Sequence, residues 1–118
     1  MLARANRILK PSEFRMVMNT GERMSTKHFV FFYKRDVTLG ASRFGFVVSK
    51  LVGGAVVRNS VKRKLRAQSR ELLVSLPQDG TPFWFVARCL PASASVESAD
   101  IGSEISAAFA TLSARAAR

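Results

Sequence analysis

A chain of 118 residues with 47% apolar content makes one domain with one core, too short for two and too apolar for a disordered tail. Its 19 Lys and Arg against 8 Asp and Glu leave +11 at pH 7, an excess that repels itself in a compact body and is most simply explained by a polyanionic partner. The single cysteine, Cys89, excludes an internal disulfide framework and a Cys-based zinc site, and no apolar run approaches the ~20 residues that cross a bilayer, so a reducing cytoplasm and no membrane partner are expected.

The first ten residues are basic but carry no continuous apolar stretch, so they do not read as a secretory signal. Pro11 and Ser12 open a short helix with Phe14, Val17 and Met18 at i, i+3 and i+4, ending at Gly21. Glu22 to Ser25 is a weakly signalled edge strand. Residues 28 to 34 read as a strand with Phe29, Phe31 and Tyr33 on one side and Val30, Phe32 and Lys34 on the other. Asp36 to Ser42 turns the chain into a second strand, Arg43 to Ser49, with Phe44, Phe46 and Val48 inward. Gly53 and Gly54 punctuate its end, and a long helix runs to about Leu76, stopped by Pro77 and Gly80. Phe83 to Cys89 is the last strand. Ser95 or Ser98 starts a final helix with Ile101, Ile105, Phe109 and Leu112 on one stripe. A helix between two strands predicts a crossover in a mixed sheet. The expected fold is α+β, a single domain over 1–118, with the helices packed on one side of the sheet.

The long helix carries the clearest chemistry. Val57, Val61, Leu65 and Leu72 form a narrow apolar stripe, while Arg58, Asn59, Lys62, Arg63, Arg66 and Arg70 occupy much of the opposite side. Lys64 falls near the boundary. Arginine suits anion binding because its planar fork pairs two phosphate oxygens or stacks on a base, and Asn59 adds an amide for a sugar, phosphate or base edge. An ordinary solvated face mixes signs to gain i,i+4 pairs, whereas Glu71 is the only acid between Lys50 and Gln78. The helix therefore reads as an anion-binding ridge. Its electrostatics alone do not separate RNA from DNA.

Phe46-Val47-Val48-Ser49-Lys50, then Val52-Gly53-Gly54-Ala55-Val56-Val57-Arg58-Asn59, then Lys62-Arg63 and Arg66, resembles the signature of the bacterial ribonuclease P protein component. Asn6-Arg7-Ile8-Leu9-Lys10, Glu13-Phe14, the aromatic strand from Phe29, and Val86-Ala87-Arg88 with Pro91 extend the resemblance over nearly the whole chain. The resemblance implies a strand–helix–strand crossover of the rare left-handed sense. It implies that Lys50, Arg58, Asn59, Ser60, Lys62, Arg63, Arg66 and Arg70 contact a catalytic RNA subunit. It also implies a cleft between the first helix and the open sheet face that holds the 5′ leader of precursor tRNA. Phe14, Met18 and Phe32 would line that cleft, with Val30, Val47, Ser49 and Arg88 beside them. Aromatic faces next to cations grip single strands without strict sequence choice. The sequence departs from the family pattern at Ser60, where an arginine is usual, at Leu51 and Gly54, and at Met18 and Phe32, where an aromatic and a tyrosine are common.

No nucleophile–base pair, phosphate-binding loop or acid constellation stands out, so no catalytic residue is expected on the protein. The resemblance implies a ribonucleoprotein endonuclease whose RNA subunit performs the hydrolysis. Magnesium would be required by the RNA-containing holoenzyme, with no cofactor held firmly by the protein, no metal site on it and no protein partner. The other function class is a structural RNA-binding protein, ribosomal or assembly, using the same helix; the aromatic cleft separates the two. Lone His28 reads as a surface or strand-edge residue, and Cys89, on the side of Phe83, Phe85 and Ala87, as packing. Phe29, Phe31, Phe44 and Phe46 read as core. Trp84 is either a base-stacking or a packing residue. Arg88 is either a cleft cation or the partner of an acid such as Asp36.

Overall fold

The computed structural model describes residues 2–77 and 80–117. In chain order it contains α1 (Pro11–Thr20), β1 (Glu22–Ser25), β2 (Phe29–Arg35), β3 (Arg43–Val47), α2 (Ala55–Ser75), β4 (Phe83–Cys89) and α3 (Ser98–Ala116). The strands form one mixed sheet in the order β1-β2-β4-β3, with β2 antiparallel to β1 and β4, and β3 parallel to β4. The parallel pair is joined through α2, the crossover that the strand–helix–strand order predicts.

Local chemistry accounts for the helix ends. Pro11 takes the first helical position of α1, where its missing N–H loses nothing, and the Glu13 carboxylate accepts from the Lys10 backbone N–H at 3.1 Å. Weakly signalled β1 is a strand because its register with β2, from Glu22↔Tyr33 to Ser25↔Val30, supplies the ladder. Strand β3 stops at Val47, two residues before the predicted Ser49. The parallel ladder ends at Val47↔Arg88, and the backbone then turns, with Val52 N–H donating to the Ser49 carbonyl at 3.1 Å. Ser98, and not Ser95, begins α3, because Pro91–Ser95 winds into a short 3-10 turn.

Alternation along β2 and β4 builds two apolar layers. Phe29, Phe31 and Tyr33 with Phe83, Phe85, Ala87 and Cys89 point to the side of α2 and α3, where Val61, Leu65, Ile101, Ile105 and Leu112 meet them. The rings of Phe31 and Phe85 stack at 5.3 Å, and Phe83 meets Phe109 edge-on at 4.9 Å. Helix α2 also buries Ser69, which its hydroxyl conceals from an apolar-stripe reading. A Cβ on Gly102 of α3 would lie 2.6 Å from the Gln68 side-chain oxygen, so the Gln68 amide of α2 seats against the α3 backbone there.

The opposite face is also covered. Val30, Phe32, Trp84 and Val86 pack with Ile8 and Val17, and Phe14, Met16 and Met18 of α1 lie against them. The expectation that all helices share one side therefore holds for α2 and α3 and fails for α1. Val30 and Phe32 alternate with Phe29 and Phe31, so this second sheet face is itself apolar and needs a cover.

His28, at the entry to β2, is a latch rather than a free surface group. Its Nδ1 lies 2.6 Å from one Glu104 carboxylate oxygen, and its backbone N–H donates to the other at 3.1 Å, tying the sheet to α3. Burial raises the Glu104 pKa, and the Thr26 hydroxyl with the ring and backbone N–H of His28 lowers it by more, leaving it below the ordinary 4.5. A depressed carboxyl stabilises the fold fully above its unfolded value and loses that contribution as pH falls through the folded one. Glu104→Gln is expected to lower the unfolding free energy by about 1 kcal/mol at neutral pH. In urea titrations its gap to the parent chain closes as pH drops below 4.5; a gap that ignores pH would refute the charge as its source.

Candidate nucleic-acid interface

The basic face of α2 divides into two rows. Arg58, Lys62 and Arg66, at i, i+4 and i+8, are half-buried along the side nearer β3, whereas Asn59, Arg63 and Arg70 are exposed. Ser60 is half-buried, and Lys50 stands exposed in the turn before the helix. Lys64 leaves the ridge, donating from Nζ to the Val96 carbonyl at 3.0 Å. Among the described residues, the ion pairs are His28 with Glu104 and Arg43 with Glu13, so no ridge cation is neutralised by a carboxylate. Apolar anchoring by Val61 and Leu65, 1% and 0% exposed, holds these like charges in one surface.

The second group lies across the sheet edge. Phe14 and Met18 are half-buried on α1, Val47 is half-buried at the end of β3, and Ser49 and Arg88 are exposed. Val30 and Phe32, at 3% and 5% exposure, form the floor under α1 rather than a free wall. Arg88 is not paired with Asp36, whose carboxylate accepts from the Thr38 backbone N–H at 2.8 Å and the Thr38 hydroxyl at 2.7 Å. Its guanidinium instead lies 5.9 Å from the Phe32 ring centroid. Trp84 is packing: it is 7% exposed, with the Arg43 guanidinium 5.3 Å from the centre of its ring.

A small cavity of about 130 Å³ at the β3 edge joins the ridge to the cleft, lined by Arg7, Phe14, Gly45, Phe46, Lys62 and Arg66 among others. The N-terminal segment reaches it by pairing Arg7 with Phe44 in a parallel bridge, with Ile8 N–H donating to the Phe44 carbonyl at 2.9 Å. Cations from α2 thus meet the aromatic side chain of α1 at one place. Spacing along the sequence does not single out Arg7, Arg23, Arg43 or Gly45. Their roles arise from pairing across strands, which no local period records.

Among the described residues no group of three or more His, Cys, Asp or Glu side chains converges to hold a metal ion. Burial, partly offset by a Ser93 hydrogen bond and the charge of Lys62, pushes the Cys89 thiol up to about 11, so it stays protonated at neutral pH and packs as an apolar group. No described helix is long and apolar enough to cross a membrane.

The sequence model of the family described as Ribonuclease P matches residues 2–113. The chain belongs to that family. The ribonuclease P protein component of Arthrobacter sp. strain FB24 is 39% identical over 94% of this chain and 79% of its own length. That of Beutenbergia cavernae is 40% identical over 98% and 95%. The RNase P protein of Staphylococcus aureus shares the fold with a TM-score of 0.77 at 21% identity, over 92% of this chain and 98% of that one. The RNase P protein of Thermotoga maritima does so with a TM-score of 0.70 at 21% identity, over 84% and 90%. A ribonuclease P protein component is one part of an endoribonuclease holoenzyme, with RNA as its partner in a ribonucleoprotein.

Gly45 is the pivot of the cleft. A Cβ there would lie 2.5 Å from one Phe14 ring carbon and 3.1 Å from the Ile8 Cβ, so Gly45 leaves room for the ring to seat on the strand. Gly45→Ala is expected to destabilise the fold by about 1–3 kcal/mol through overpacking and to lift α1 from the sheet. Thermal melting and the Phe14 ring resonances measure both effects; an unshifted melt with unchanged resonances would contradict this packing.

Proposed function

We propose that this chain is the RNA-binding subunit of ribonuclease P, the ribonucleoprotein that hydrolyses precursor tRNA to remove its 5′ leader. The observation that carries the proposal is one continuous surface. A cationic ridge, without carboxylate partners among the described residues, meets the Phe14 ring of α1 at the cavity lined by Arg7, Lys62 and Arg66. A structural RNA-binding protein has use for the ridge but none for a cleft that suits a single strand.

On this reading the ridge, from Lys50 and Arg58 to Arg70, docks on the catalytic RNA, and the α1 cleft takes the leader. The phosphodiester chemistry would belong to the RNA subunit, with the magnesium it requires bound mostly to the RNA. The residues of this chain bind, orient and screen charge. Cations placed beside closely spaced phosphates lower the repulsion between the two RNAs and thereby the magnesium concentration the complex needs.

Reconstitution with a cognate ribonuclease P RNA tests the proposal: the protein should stimulate cleavage of precursor tRNA at low magnesium, and no stimulation over RNA alone would sink it. Alanine at Arg58 or Arg66 should weaken binding to that RNA and flatten the log–log salt dependence by about 0.7–0.9 per lost phosphate contact. Phe14→Ala should weaken substrates that carry a leader and spare leaderless tRNA. Identical behaviour of the two kinds of variant would refute this division of the surface.

A further inference from the structure

Phe32 reads in the sequence as a ring offered to a nucleobase, yet only 5% of it is exposed. Two guanidiniums flank it. Arg23 of β1 places Cζ 5.8 Å from the ring centroid, and Arg88 of β4 places its own at 5.9 Å. The sheet register makes this arrangement: Arg23 stands directly opposite Phe32, and Arg88 stands opposite Val30, which shares its sheet face with Phe32. Both arginines are exposed, and neither is in an ion pair among the described residues.

A ring roofed by two cations and by α1 has no free face on which a base can stack. Its quadrupole attracts the guanidiniums and favours their seating over the ring. Each guanidinium is a planar fork matched to phosphate oxygens, and one already seated on a ring loses less freedom on binding than one on a free arm. We propose that Arg23 and Arg88 form a two-pronged clamp on the phosphate backbone of the single-stranded leader, with Phe32 as the platform that positions both. Base contacts then fall to Phe14 and Met18 on α1. The inference rests on the reading that the leader lies in the α1 cleft, and it adds Arg23, on an edge strand that the sequence hardly signals, to the substrate-binding residues.

Substitution of Arg23 leaves its backbone carbonyl, which accepts from Arg115 Nη1 at 3.2 Å, in place, so the edge strand keeps that tie to α3. The test uses holoenzyme assembled with a cognate catalytic RNA and compares precursor tRNA bearing a short leader with mature tRNA over a salt series. R23A should bind the leader-bearing RNA roughly five- to tenfold more weakly, with a salt slope smaller by about 0.7, and bind mature tRNA unchanged. R23K should recover the slope without the full affinity, because the charge returns and the planar fork does not. F32L keeps the apolar volume and removes the ring; it should weaken the same substrate, and R23A added to it should cost less than R23A alone. Strict additivity would show that Phe32 does not position Arg23 and would overturn the platform. An unchanged slope in R23A, or equal weakening toward both substrates, overturns the clamp while the parent holoenzyme still favours the leader. A parent holoenzyme that binds both RNAs alike removes the leader reading itself, and the clamp with it.

Discussion

Strand β4 lies between an antiparallel and a parallel neighbour, and its side chains alternate between two layers of helix. Phe83, Phe85, Ala87 and Cys89 fill the layer shared with α2 and α3, while Trp84 and Val86 fill the layer under α1. Both the cationic ridge and the α1 cleft are set by this two-sided strand. Docking of α2 against the first layer fixes which of its residues face out. Docking of α1 against the second fixes the floor of the cleft. A one-residue slip in the register would exchange the layers and dismantle both at once.

Charge is the second constraint. Among the described residues, the ridge cations of α2 have no carboxylate within ion-pair distance, an arrangement that disfavours the compact chain by self-repulsion. The apolar contacts of Val61, Leu65 and the α3 stripe hold it together nonetheless. Where the fold needs a cation for its own purposes it takes one out of the field: Lys64 donates to Val96, and Arg43 is shared between Glu13 and the Trp84 ring. Membership in the Ribonuclease P family, shown by the match over residues 2–113, supplies an RNA partner.

Ridge and cleft lie on opposite sides of the sheet, and the β3 edge is where they can meet. The N-terminal segment bridges to Phe44 there, and Gly45 leaves the space into which the Phe14 ring fits. The arginines around Phe32 and Trp84 mark how this face differs from a bare aromatic platform. Each buried ring on the cleft side lies about 5–6 Å from a guanidinium, so the surface there is cationic above and aromatic beneath.

The sequence by itself determined the element order, the alternation of β2 and β4 and the cationic ridge, because each is a local period or a local excess of charge. It identified the family through the spacing of Arg58, Asn59, Lys62, Arg63 and Arg66 beside the motif around Phe46 to Lys50. Tertiary structure alone decided that α1 covers the second sheet face, that β3 ends at Val47, that Ser69 is core, and that His28 ties the sheet to Glu104. It also buried Phe32, with the Arg23 and Arg88 guanidiniums 5.8 and 5.9 Å from its ring centroid. These outcomes depend on which strands become neighbours. Strand pairing joins residues far apart in the chain, so the burial and partners of a side chain cannot be read from its own segment.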